Sequence, residues 1–130
     1  MRSILPLLCA ASIIASPATA DPPDIHLDVP TGAKGMEVNV VEHDFAPGAT
    51  SGWIIHHGTE IAYVLSGALN VQIAGGPTRH VVKGDTIEIE RDRPHRVMND
   101  GTVTAALLIT YLRDKAGPLT IQVPASSIKP

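Results

Sequence analysis

Four side chains in this sequence are of a type and spacing that bind metals: His56, His57 and Glu60 in the stretch "GWIIHHGTE" at 52–60, and His95, which follows Pro94. Residues two apart in a β-strand share a face, so Ile54 and His56 point one way while Trp53 and Ile55 point the other. His57 falls at the strand end beside Gly58, where the chain turns. Glu60 opens the next run and, across that turn, is placed to face His56. His95 opens a third run and is the further candidate. Two neutral imidazoles and one carboxylate suit a divalent transition metal, Fe, Mn, Zn or Ni, with coordination positions left for a substrate. His56, Glu60 and His95 are therefore the candidate ligands, and His57 is read as a turn histidine. One residue of offset reverses a strand side chain.

These residues need strands to position them, and the sequence supplies strands almost throughout. Short β-rich runs at 36–42, 53–56, 60–65, 69–73, 79–83, 86–90, 95–98 and 103–112 are separated by turn residues such as Pro47-Gly48, Ser66-Gly67, Gly75-Gly76-Pro77 and Asn99-Asp100-Gly101. Val71 and Ile73 flank Gln72, and Ile87 and Ile89 flank Glu88, which is the alternation of half-buried strands. A last strand is expected at 119–123 and an edge strand at 25–27, while the tail 124–130 is expected to fray. No helical period follows residue 20. Short strands at roughly ten-residue spacing predict an all-β sandwich or barrel.

The glycines around the candidate ligands extend the pattern. Gly48, Ile54, His56, Glu60 and Gly67 follow one another at the spacing of the first cupin motif. Gly84, Glu90, Asp92, His95 and Asn99 follow the spacing of the second. The chain thus resembles the small single-domain cupins over most of 36–112. That resemblance implies a jelly-roll barrel of short antiparallel strands with a metal inside, held by two histidines and a glutamate from the first motif and one histidine from the second. By position, His56, Glu60 and His95 fall on ligand slots, and Ile54 falls on the slot of the first histidine. The second motif departs as well, with Glu90 where proline is usual and Asp92 where glycine is usual. A homodimer is implied too, which would cover exposed sheet edges.

The ends and the composition set further bounds. Arg2, an apolar run at 4–15 and the small residues Ala18-Thr19-Ala20 have the order of a cleaved export signal, too short to span a bilayer. The expected organisation is a signal at 1–20, an extended Pro-rich arm at 21–35 and the barrel at 36–123. The mature product would be periplasmic or secreted, with no membrane anchor. Cys9 leaves with the signal, so no disulfide or thiolate site remains. The formal net charge is −3, with no basic run, which argues against nucleic acid.

Ile54, Tyr63 and Tyr111 are the expected pocket residues. His80 is placed on an outer face, and His26 and His43 are read as solvated in the arm and first loop. Two functions fit: a metal-binding protein or metalloenzyme, dioxygenase-like or otherwise metal-assisted, acting on a small organic molecule, or a non-catalytic cupin that holds a small ligand in a barrel whose metal site is degenerate because of Ile54.

Overall fold

The computed structural model describes the backbone of residues 25–28 and the whole of residues 33–129. The expected export signal at 1–20 and most of the arm at 21–35 lie outside the described residues. Ten strands are formed among them: β1 (Ile25–Asp28), β2 (Met36–Phe45), β3 (Ile54–Ile55), β4 (Gly58–Ser66), β5 (Ala68–Ile73), β6 (Thr78–Val82), β7 (Thr86–Ile89), β8 (His95–Met98), β9 (Ala105–Asp114) and β10 (Ile121–Gln122). They make two five-stranded antiparallel sheets, ordered β1-β2-β9-β4-β7 and β10-β3-β8-β5-β6. This is the expected jelly roll.

Alternation decides what lies between the sheets. On β4, Glu60, Ala62 and Val64 face inward, and Ile61 and Tyr63 face out. Ile87 and Ile89 of β7 are buried around an exposed Glu88, as the sequence predicts. Leu69, Val71, Val97, Leu107 and Ile109 join them in one core. Burying each large aliphatic side chain contributes about 1.5–3 kcal/mol.

Two boundary expectations are corrected. The first strand runs on through Phe45, because β2 pairs with β9 from Met36↔Asp114 to Phe45↔Ala105 and the ladder carries polar His43 and Asp44 with it. The tail is not frayed throughout, since Ala125–Ser127 form a 3-10 turn.

Close approaches explain two glycines. Gly67, between β4 and β5, has φ +72, and a Cβ there would come within 2.8 Å of Ala105. Gly58 sits where β4 crosses Arg113 of β9, and a Cβ would lie 2.5 Å from the Arg113 Cα. Arg113 uses that space to pair with the buried Glu37 at 2.7 Å and to donate to Asn39 Oδ1 at 3.0 Å.

Candidate metal centre

β3, the turn after it, β4 and β8 bring His56, Glu60 and His95 together inside the barrel, all three buried. Their ligand-type atoms lie within 4.8 Å of one another. His56 Nε2 and His95 Nε2 are 3.0 and 3.3 Å from Glu60 Oε2. Both distances are short enough for ion pairing. All three atoms are buried without a hydrogen-bond partner.

The other nitrogen of each ring fixes its proton. His56 Nδ1 is 2.7 Å from the Leu119 carbonyl oxygen, and His95 Nδ1 is 2.9 Å from that of Arg93. A carbonyl only accepts, so Nδ1 is the donor in each ring, and a neutral ring then turns its Nε2 lone pair toward Glu60. Burial alone would raise the Glu60 carboxyl; in the metal-free fold, with a proton on Nε2 of each ring, the hydrogen bonds and charge of His56 and His95 outweigh it and hold the group down at about 2. A carboxylate and two imidazole lone pairs facing one point call for a positive charge between them. The residues present therefore fit a divalent cation.

Glu60 and His95 of the cluster line the floor of a cavity of about 270 Å³, with His56 in contact behind them. Ile54 lines it, directly opposite His95 in the β3–β8 pairing, so the apolar side chain stands where a fourth donor would be. Tyr111 lines it too, its ring 4.8 Å from that of His56. Burial, and then the charge of Glu60, push the Tyr111 hydroxyl well above its ordinary range. Tyr63 corrects the third pocket expectation. It lies one residue out of phase with Ala62 and Val64, 45% exposed on the outer face of the sheet.

Sequence reasoning missed two contributors. His43 is exposed as expected, yet it belongs to β2 rather than a loop, and it alternates with Val41 and Phe45 along the cavity wall. The Val41–His43–Phe45 alternation is the signal that would have found it. The second is the segment before β10. Leu119 orients His56 through its carbonyl, and Thr120 and Gln122 line the cavity. A backbone oxygen leaves no mark in a sequence pattern.

His57 points away from the cluster. Its Nδ1 meets Asp92 Oδ1 at 2.6 Å, with its side chain 41% exposed. Asp92 has φ +57, the one non-glycine residue with positive φ among the described residues, which accounts for a slot where glycine is usual. Arg91 extends the network to Asp92 at 3.4 Å and to Asp114. With the backbone bonds Asp92 N to His56 O and Asp114 N to His57 O, both 3.0 Å, it clamps the turn that carries the first ligand.

A two-sheet barrel with a buried pair of histidines and a glutamate on the floor of its cavity defines the class. Residues 41–111 match the cupin domain, and the chain belongs to that family. No protein of curated function matches it in sequence. Among solved structures it is similar to an oxalate oxidase in complex with the substrate analogue glycolate, at 34% identity and TM-score 0.58, over 69% of this chain and 47% of that one. A recombinant oxalate oxidase with glycolate gives 32% identity and TM-score 0.59, over 82% and 58%. The chain thus spans about half the length of those oxidase structures. The DMSP lyase DddQ from Ruegeria pomeroyi is similar at 18% identity and TM-score 0.58, over 79% and 52%, a likeness of fold.

Proposed function

We propose that this cupin holds one divalent transition metal, Fe, Mn, Zn or Ni, through His56 Nε2, the Glu60 carboxylate and His95 Nε2, and acts on a small organic acid bound beside it. The observation that carries the reading is the set of three buried, hydrogen-bond-orphaned atoms converging at the cavity floor. Bound there, the metal supplies Lewis-acid or redox activation of an oxygen-bearing ligand. The chain's own residues do the rest. Leu119 and Arg93 carbonyls hold the imidazoles in register, and one carboxylate against a dication leaves the floor positive, which favours an anionic ligand. Val41, Phe45, Ile54, Leu107 and Ile109 keep the walls apolar. The likeness to oxalate oxidase supports a small acid as the ligand class.

A second reading, ligand capture without turnover, is favoured by Ile54 in place of a fourth donor. Metal analysis with an activity screen on small acids separates the two. A stoichiometric metal with oxidation or cleavage of an acid supports the enzyme, and a metal-free protein that only binds an acid supports capture.

Export by cleavage after Ala20 belongs to the same proposal, and mass spectrometry of the secreted or periplasmic form would show Asp21 first. A product retaining Met1 would contradict it. A homodimer is also proposed. Exposed Ile61, Tyr63 and Leu112 on the outer face of the β2-β9-β4 sheet give it an apolar surface to bury. Light scattering at micromolar concentration tests this, and a monomer mass would count against it.

A further inference from the structure

The cavity has two chemically different ends. Its floor holds the buried cluster, whereas His43, Thr120 and Gln122 are its exposed lining residues and so mark the mouth. The mouth lies between strand β2 of one sheet and the edge strand β10 of the other. Between floor and mouth the β2 and β9 wall is apolar, through Val41, Phe45, Leu107 and Ile109.

The polar groups at the mouth differ in availability. The Gln122 amide is already committed, donating to the Ser51 carbonyl at 3.2 Å. The Ser51 hydroxyl donates to Gly52 O and accepts from Val97 N. The His43 ring and the Thr120 hydroxyl make no hydrogen bond with the described residues. The imidazole packs edge-on against Phe45 at 4.7 Å between centroids. Its strand neighbours Glu42 and Asp44 alternate to the outer face.

We infer that His43, assisted by Thr120, selects the ligand by hydrogen-bonding a second polar group at the end remote from the metal. The ligand class is then a short acid with a carboxylate or hydroxyl at its far end, rather than a simple fatty acid. This rests on the metal reading proposed above.

The register keeps the two ends apart. His43 pairs with Leu107 and Glu60 pairs with Tyr111 on the same strand β9. Four residues of strand span ~14 Å at ~3.4 Å each. His43 on β2 and Glu60 on β4 also flank β9, ~10 Å apart across it, so one ligand meets both ends only if it is extended and carries a polar group at each terminus. The cavity of about 270 Å³ has room for a small diacid, and glutarate is taken as the probe.

The test uses glutarate and valerate, which share a five-carbon chain and one carboxylate and differ at the far end. Isothermal titration of Mn(II)-loaded protein is expected to show glutarate bound about tenfold tighter than valerate, the effect of one charged hydrogen bond. In His43→Ala that preference falls below about threefold, while valerate and Mn(II) affinities stay within about twofold of wild type. Thr120→Val gives a smaller loss of the same kind. Equal binding of the two acids by wild type, or a glutarate preference that survives in both variants, overturns the inference alone. Failure of wild type to bind Mn(II), read in the first titration, overturns the metal reading and this inference with it.

Discussion

Replacing Ile54 by histidine tests whether the cavity floor is a coordination site that lacks one donor. Ile54 is 8% exposed, stands directly opposite His95 and lies two residues before His56, which is also buried. Cross-strand partners have Cβ atoms ~4.5–5.5 Å apart, so an imidazole at 54 reaches the point on which the other three atoms converge. Without metal the change removes a buried aliphatic side chain, about 1.5–3 kcal/mol, and buries a polar ring in its place, about 1–3 kcal/mol more. Apo Ile54→His should therefore unfold at a clearly lower temperature, by ~10 °C or more, since 1 kcal/mol moves a domain of this size by ~4–8 °C. Metal affinity should move the other way and recover part of that loss. The added donor should tighten Zn(II) or Mn(II) binding at least about tenfold, or ~1.4 kcal/mol, and close one position to exogenous ligand. Thermal unfolding with and without metal, together with isothermal titration, reads both halves. A destabilised variant whose metal affinity is unchanged or weaker would refute the reasoning, because Ile54 would then not face the metal.

His56→Ala should lower metal affinity by more than about 100-fold, beyond the effect of losing an orienting partner, while His57→Ala should change it by less than about threefold. The reverse pattern in a metal titration would mean that the strand register is wrong. Gly58→Ala would drive a methyl into the Leu112 carbonyl and the Arg113 backbone, neither of which can yield, and chemical denaturation should show a loss of about 3 kcal/mol or more. Glu60 gives a pH dependence of the metal-free protein. Its carboxyl is held at about 2 in the fold against an ordinary 4.5, so its contribution is complete above pH 4.5 and is lost as pH falls toward 2. Stability followed by circular dichroism over that window should fall less steeply in Glu60→Gln than in wild type.

The convergence of His56, Glu60 and His95 was legible because it depends on local rules. Alternation places His56 with Ile54, one turn returns the chain at Glu60, and Pro94 sets the start of the strand carrying His95. The inward sets on β4 and β7 follow from the same two-residue period. What escaped depends on pairing between distant segments. The sequence pattern ends β2 at Glu42, but a ten-residue ladder with β9 extends it to Phe45 and makes His43 a cavity residue. Tyr63 is expected in the pocket, but its phase relative to Glu60 puts it outside. The bond between His57 and Asp92 joins residues 35 apart, and the departure from glycine at 92 gained a partner only once the two loops met. The Leu119 carbonyl that orients His56 is backbone, beyond the reach of any side-chain pattern.

The central claim is that three residues of this chain hold one metal ion. Elemental analysis of the purified protein, wild type beside His95→Ala, tests it most directly. The account predicts close to one equivalent of a divalent transition metal per chain in wild type and almost none in His95→Ala, with circular dichroism showing both folded. A folded wild-type protein that remains metal-free after incubation with Fe(II), Mn(II), Zn(II) and Ni(II), or a His95→Ala protein that keeps its full equivalent, would contradict it.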